Sequence, residues 1–193
     1  PNAVSVWGRK YIWNDSALPE QIISQGQELL SEPVRLVMKN SSANAGWTQK
    51  GSSLTQSKPG KAEYNGELKS EDLCINVKSI VEFDGMMRLD LTFKPGQGNV
   101  EVSELFFEIP LKKSVAELFA RNGGLGLMPS PEIPGEWTKK YPRGGTVNKA
   151  QSMPFAPFVA MFNDTIGLEW FAEYDRRMDK PDLPKIEDGS YMI

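Results

Sequence analysis

The sequence has no histidine, a single cysteine and no long apolar run, and each absence removes a class of function. Without histidine, Ser-His-Asp and Cys-His nucleophile systems, histidine metal sites and histidine pH switches cannot form. Acid–base chemistry would therefore fall to carboxylates, lysine or tyrosine. Cys74 alone cannot make an internal disulfide, and its alternating apolar neighbours predict a small, half-buried side chain.

Net charge and hydropathy argue against further classes of partner. The net charge is −3, and the 22 basic residues form no cluster longer than pairs such as Lys112-Lys113 and Lys139-Lys140, which argues against nucleic acid as a partner. No stretch of about 18 apolar residues predicts a membrane span. No signal peptide opens the sequence, and a start at Pro1 predicts a piece processed or excised from a longer protein.

What is present is a series of short alternating runs separated by turn residues, which predicts an all-β protein. Eight or more such strands in 193 residues favour one domain, residues 1–193, built as a two-sheet antiparallel β-sandwich of the ordinary or the supersandwich type. We expect residues 4–13 to form a first strand interrupted by Gly8. Four tryptophans in or beside predicted strands are expected in the core: Trp7, Trp13, Trp47 and Trp170.

Three hairpins are predicted from turn chemistry. Gly26 supplies the positive φ of a tight turn within residues 22–30. Asp84-Gly85 lies between two alternating runs and predicts a type I′ turn, with positive φ at both residues. The run Asn163–Gly167 separates two aromatic-rich strands near the end of the chain.

The second of these last strands presents a mixed face. Glu169, Phe171, Glu173 and Asp175 share one side, where paired carboxylates could act in catalysis, but the same pattern favours a solvated face. A calcium site using Asp175, Asp179 and Asp182 is disfavoured as well, because the spacing does not fit an EF-hand. We therefore expect no catalytic residue, no metal and no cofactor.

One helix and one long loop complete the prediction. Ser114 and Glu117 are spaced as a capping box and predict a short helix near residues 115–121. Residues 122–152 are rich in glycine and proline and predict a long irregular loop, a length that is unusual without a function. Trp137, Tyr141 and Arg143 on this loop are candidate contacts with carbohydrate or with a catalytic barrel.

Several segments resemble, in order, one known family. They are Val4-Ser5-Val6-Trp7-Gly8-Arg9, Leu18-Pro19, Gln25-Gly26-Gln27-Glu28-Leu29-Leu30, Glu82-Phe83-Asp84-Gly85-Met86-Met87-Arg88-Leu89-Asp90-Leu91, Glu108-Ile109-Pro110-Leu111 and Gly167-Leu168-Glu169-Trp170-Phe171-Ala172-Glu173-Tyr174-Asp175. With this set the chain resembles the amino-terminal domain of bacterial glycoside hydrolase family 123-like proteins.

The resemblance implies a β-sandwich that precedes a β/α barrel. In that family the barrel removes terminal N-acetylgalactosamine, using an adjacent Asp-Glu pair and the acetamido group of the substrate. This sequence has no Asp-Glu dipeptide in that order, so the resemblance implies a non-catalytic accessory domain of a secreted or periplasmic hydrolase. Its expected partners are the catalytic domain of the same polypeptide and a glycan. A free-standing carbohydrate-binding module is the alternative, and a complete small enzyme is a weaker third.

Overall fold

A computed structural model describes residues 2–39, 46–96, 100, 102, 104–121, 128–129, 158–171, 185–187 and 190–192. Within these ranges the regular structure is entirely β-strand, without a helix, and the recorded strand pairs are antiparallel. The prediction of an all-β protein is confirmed. The chain divides into two compact units, Pro1–Ile109 and Pro110–Ile193, and one domain over residues 1–193 stays a prediction.

The first unit contains ten described strands. They are β1 (Ala3–Val6), β2 (Arg9–Ile12), β3 (Gln21–Ser24), β4 (Gln27–Glu28), β5 (Arg35–Lys39), β6 (Thr48–Lys58), β7 (Lys61–Lys69), β8 (Leu73–Glu82), β9 (Met87–Pro95) and β10 (Glu104–Glu108). Two four-stranded sheets, β1-β2-β3-β4 and β6-β7-β8-β9, join sequential strands as hairpins, and β5 pairs with β10.

The second unit contains seven described strands. They are β11 (Pro110–Lys112), β12 (Leu118–Arg121), β13 (Met128–Pro129), β14 (Phe158–Phe162), β15 (Gly167–Phe171), β16 (Lys185–Glu187) and β17 (Ser190–Met192). They form a four-stranded sheet in the order β13-β12-β14-β15 and a three-stranded sheet in the order β11-β17-β16.

The two four-stranded sheets of the first unit pack face to face, as in a sandwich. Trp13, directly after β2, stacks on Tyr64 of β7 with ring centroids 4.3 Å apart and an interplanar angle of 16°. The Tyr64 hydroxyl donates to the carbonyl of Ala3 at 3.0 Å. Gly66 lies so close to Ala17 that a Cβ on it would sit 2.8 Å from the Ala17 Cα. Because side chains alternate along β2 and β7, the large rings at the inward positions pack together in a shared core.

The first predicted strand is a hairpin instead. Residues 4–13 separate into β1 and β2, with Val6 paired to Arg9 across a turn in which Gly8 has a φ of 70°. Gly8 ends one strand and reverses the chain, because a residue without Cβ adopts positive φ at little cost. The hairpin predicted within residues 22–30 is confirmed as β3 and β4, with positive φ at Gln25 and Gly26.

The β8–β9 hairpin is confirmed, but its predicted type I′ turn is wrong. Gly85 has a φ of 86°, whereas Asp84 does not have positive φ. Gly85 N–H donates to the Glu82 carbonyl at 3.0 Å, and Glu82 N–H donates to the Met86 carbonyl at 2.9 Å. This is a three-residue loop, a turn closed by a left-handed glycine. Asp84 Oδ1 accepts from Met86 N–H at 2.9 Å, which holds the turn in that form.

The predicted helix near residues 115–121 is wrong. The N–H groups of Val115 and Ala116 both bond to the Lys112 carbonyl, so the capping-box sequence forms one isolated turn. The chain then extends into β12, whose backbone pairs with β14 from Leu118 to Arg121. Seven residues are too few to sustain a helix alone, and a neighbouring strand offers a full ladder of hydrogen bonds.

The last hairpin is confirmed as β14 and β15, with Phe158 paired to Phe171 at one end and Phe162 to Gly167 at the turn. Asn163 Oδ1 accepts from the N–H groups of Thr165 and Ile166, each at 2.9 Å, which closes the turn as an Asx motif. In the described part of the chain no helix is long and apolar enough to cross a membrane.

Candidate functional site

The residues predicted from sequence to contact glycan or barrel are Trp137, Tyr141 and Arg143, and they lie outside the described residues. So does most of the loop 122–152, apart from β13. Glu173, Asp175, Asp179 and Asp182 also lie outside them. Glu169 is described and is exposed on β15. The roles of the three loop residues stay predictions.

Two of the most exposed apolar side chains that the structure describes sit at hairpin tips of the first unit. Trp7, in the β1–β2 turn, is 86% exposed, and Phe83, in the β8–β9 turn, is 68% exposed. Met86 beside the second turn is exposed as well. We define the tip surface as Trp7, Arg9, Phe83, Asp84 and Met86.

Backbone hydrogen bonds connect the tips of neighbouring hairpins. Gln25 N–H, in the β3–β4 turn, donates to the Gly8 carbonyl at 2.8 Å. Phe83 N–H donates to the carbonyl of Gly60, in the β6–β7 turn, at 2.9 Å. The tips are thus fixed to one another in pairs within their own sheets.

Two side chains of β2 fix the two sheets together at this end. Arg9 donates through Nη1 to the carbonyl of Asp84, and the Tyr11 hydroxyl donates to the carbonyl of Gly85. Both residues point from β2 toward the β8–β9 turn, two positions apart on one strand face. The tip surface therefore rests on a scaffold in which all four hairpin turns are connected by hydrogen bonds.

The Tyr11 anchor keeps its proton. Tyr11 is buried, and this burial raises the pKa of its phenol, while nearby Arg9 lowers it and Asp84 raises it. The hydroxyl consequently remains a hydrogen-bond donor to the Gly85 carbonyl throughout the neutral range.

The outer face of the β6–β9 sheet is polar and partly ion-paired. Glu63 lies 2.8 Å from Lys61 Nζ and 2.9 Å from Lys78 Nζ, with its own side chain only 13% exposed. Hydrogen bonds from Lys61 and then Lys78 lower the pKa of Glu63 to about 2. Arg88 pairs with Asp90 at 3.0 Å on the neighbouring strand. Glu63 is thus a fixed anion at neutral pH and has no proton to donate.

A shallow depression of about 320 Å³ lies on the same face. Its lining comes from three adjacent strands: Asn65, Gly66, Asn76, Val77, Lys78 and Thr92. Among the described residues, no group of three or more Cys, Asp or Glu side chains is placed to hold a metal ion. The residues that line the depression include no aromatic ring that could stack on a bound molecule.

Comparison with protein families gives the decisive match. Residues 1–150 match the model described as glycoside hydrolase 123, third domain. The chain belongs to this family. A comparison with curated proteins finds no match. The family-level resemblance seen in the sequence is confirmed, whereas an amino-terminal position, a bacterial origin and a substrate are not fixed by a match to a third domain.

The tip surface is the candidate that sequence reasoning missed. Trp7 was expected in the core and is instead the most exposed of the large apolar residues that the structure describes, while Trp13 is fully buried as expected. The signal was the dipeptide Trp7-Gly8: a glycine able to reverse the chain places the preceding residue in a turn, where strand alternation no longer sets its direction. Phe83 stands in the same relation to Asp84-Gly85.

Proposed function

We propose that this chain is a non-catalytic accessory domain of a glycan-degrading glycoside hydrolase. The observation that carries the proposal is the match of residues 1–150 to a glycoside hydrolase 123 domain. A domain described as third belongs to a family whose polypeptides have other domains. The accessory domain would pack against the catalytic one and help to shape the site where substrate enters.

The chemistry of the described residues supports a non-catalytic role for this domain. A glycosidase uses two carboxyl groups about 5–10 Å apart, one of them a general acid with a raised pKa. The strongest effect on a described carboxyl runs the other way, since the pKa of Glu63 is lowered to about 2. With no histidine and no Asp-Glu dipeptide in the sequence, bond cleavage falls to another domain of the protein.

The finer features follow from the sequence resemblance. The parent enzyme would be a bacterial, secreted or periplasmic β-N-acetylgalactosaminidase, with this sandwich preceding the catalytic barrel. Trp137, Tyr141 and Arg143 would contact the barrel near the rim of its active site. Each of these statements is part of the proposal.

The proposal is tested by assaying the purified chain on an aryl β-N-acetylgalactosaminide. We expect no turnover above the blank. Glu173→Gln and Glu169→Gln serve as matched variants, because the sequence pattern predicts both carboxylates on one strand face, where a catalytic pair could form. Turnover in the wild type that is lost in either variant would overturn the proposal.

A free-standing carbohydrate-binding module is the second candidate, and the exposure of Trp7 favours it. The two candidates differ in their partner. An accessory domain should bind a separately produced catalytic domain, detectable by co-elution in gel filtration, whereas an independent module should bind glycan and elute alone.

A further inference from the structure

We infer that the tip surface is a saccharide-binding site, in which the Trp7 ring stacks on the apolar face of a neutral pyranose and Arg9 and Asp84 bind its hydroxyl groups. The inference rests on the proposed function for the choice of a glycan as ligand. It goes beyond it by giving the domain its own contact with sugar, made by residues different from those on the loop 122–152.

The exposure of the rings is the first argument. An aromatic side chain carries about 150–250 Å² of surface, and exposed apolar patches of a few hundred Å² on a small protein are often functional. Trp7 and Phe83 are 86% and 68% exposed, so each ring presents most of its surface to solvent. A stable protein interface takes roughly 800 Å² from each partner. Two rings supply less than that area, whereas a single exposed ring suits one sugar.

The rigidity of the platform is the second argument. The backbone of the Trp7 turn is held by Gln25, and that of the Phe83 turn by Gly60. Arg9 and Tyr11 then fasten the second turn to β2. A ligand that meets a fixed surface loses less free energy to ordering than one that must organise a loop. Weak stacking can thus produce measurable binding here.

The polar partners beside the rings are the third argument. A guanidinium has five N–H donors in a plane, and Arg9, which is exposed, uses Nη1 on the Asp84 carbonyl, so its other N–H groups are open to a ligand. The Asp84 carboxylate is exposed, with Oδ1 accepting from Met86 N–H. One donor and one acceptor on the same surface as an exposed aromatic ring suit the vicinal hydroxyls of a sugar. The carboxylate also disfavours anionic sugars.

The inference is tested by NMR on the ¹⁵N-labelled chain. Methyl β-N-acetylgalactosaminide is added to about 50 mM, several times a dissociation constant of about 10 mM, and methyl β-glucoside is run in parallel. We expect a saturable shift of the Trp7 indole N–H, identified by its loss in Trp7→Phe. Trp7→Ala and Arg9→Ala should each weaken binding about fivefold or more, while Trp7→Phe retains most of it.

Two matched variants serve as controls. Phe171→Ala removes a 51% exposed ring of the second unit, and Arg88→Ala removes an exposed guanidinium from the outer face of the β6–β9 sheet. Both should leave the affinity unchanged. An unchanged melting temperature of Trp7→Ala shows that the scaffold is intact. Arg9→Ala also removes the hydrogen bond to the Asp84 carbonyl, so its affinity is interpreted beside its melting temperature.

Three outcomes would overturn the inference. The first is the absence of a Trp7 shift with either sugar, and the second is full binding by Trp7→Ala. The third is a set of shifts confined to the side-chain amides of Asn65 and Asn76, which would move the site to the outer depression. None of these affects the proposed function, which fails if the chain itself cleaves glycoside or if it elutes apart from the catalytic domain.

Discussion

Two tryptophans of one hairpin have opposite surroundings. Trp13 is fully buried, and Trp7, six positions earlier, is 86% exposed. Trp13 continues the face of β2 that Arg9 and Tyr11 begin, so alternation directs it into the sandwich, where it stacks on Tyr64. Trp7 occupies the turn, where no ladder sets its direction.

This difference distinguishes aromatic residues that stabilise the fold from aromatic residues that are available for binding. Within this hairpin, the Tyr11 and Trp13 rings follow the strand period and are buried in the core, whereas the Trp7 ring at the tip is attached to a rigid scaffold without contributing to its packing. Substitutions along this one hairpin should consequently range from severe to silent in their effect on stability, and that order can be measured.

The largest effect is expected at Trp13. Trp13→Ala removes a fully buried ring and its stack on Tyr64, and we expect it to lower the free energy of unfolding by about 3–5 kcal/mol. Trp13→Phe should cost less, because it keeps a ring and removes an indole N–H that has no partner among the described residues. Urea denaturation, read from the midpoint at constant m-value, measures both. A cost below about 1 kcal/mol for Trp13→Ala would show that this contact does not hold the sheets together.

The second effect concerns the glycine under the tip surface. Gly85 has a φ of 86°, and a Cβ on it would lie 2.5 Å from the Arg9 Cδ, so Gly85→Val both strains the backbone and displaces Arg9. Gly26 has a φ of 80° with no atom within 4 Å of an added Cβ, so Gly26→Val carries the backbone strain alone.

We expect Gly85→Val to cost more than about 1 kcal/mol, since a β-branched residue resists positive φ. Gly26→Val should cost less, and the difference reports the Arg9 contact. Thermal melts of the two variants give the comparison. Equal melting temperatures would mean that Arg9 does not fasten the β8–β9 turn to β2.

Much of the fold was predictable, because local chemistry set the hairpins. Gly26 and the Asn163–Gly167 run each reversed the chain as their sequences indicated. The Ser114–Glu117 pattern failed for a non-local reason: β12 forms a ladder with β14, about forty residues later in the chain, and a short helix had no comparable support. The predicted type I′ turn at Asp84-Gly85 failed for a local reason, since the Asp84 side chain favours a three-residue loop.

The candidate site was less predictable than the fold. Composition marks Trp7 as apolar, and apolar residues in alternating runs are usually core. The exposure of Trp7 could be predicted only if Gly8 was interpreted as a turn residue rather than as an interruption of one strand. The approach of Arg9 to Asp84 joins residues 75 positions apart, and no periodicity in a single sequence contains that information.

A smaller effect on the free energy of unfolding is expected from replacing Glu63, whose contacts are at the surface. Its pKa is lowered from 4.5 to about 2 in the folded chain by Lys61 and Lys78. A lowered pKa contributes stability that is fully present above the unfolded value of 4.5 and is lost as pH falls toward 2. Glu63→Gln should therefore be less stable than wild type at neutral pH, and the gap should close between about pH 5 and pH 2.

Denaturation curves at several pH values test this, with Glu71→Gln, an exposed carboxylate in a turn, as the matched variant. A gap that stays constant with pH, or one that Glu71→Gln reproduces, would show that the Lys61 and Lys78 contacts do not stabilise the sheet. Added salt should reduce the gap, because exposed ion pairs are screened.

The smallest effect is expected at Trp7 itself. Trp7→Ala should change the free energy of unfolding by no more than about 0.5 kcal/mol, because a ring that is 86% exposed buries little surface when the chain folds. The Gly8 carbonyl still accepts from Gln25 N–H, so the turn itself is unaffected. Urea denaturation beside Trp13→Ala checks the contrast within one hairpin. A loss above about 1 kcal/mol would mean that Trp7 packs against the folded chain, and its effect on sugar binding could then be structural. An unchanged stability leaves the ring with no part in folding, so that a loss of binding in the same variant reports contact with the ligand.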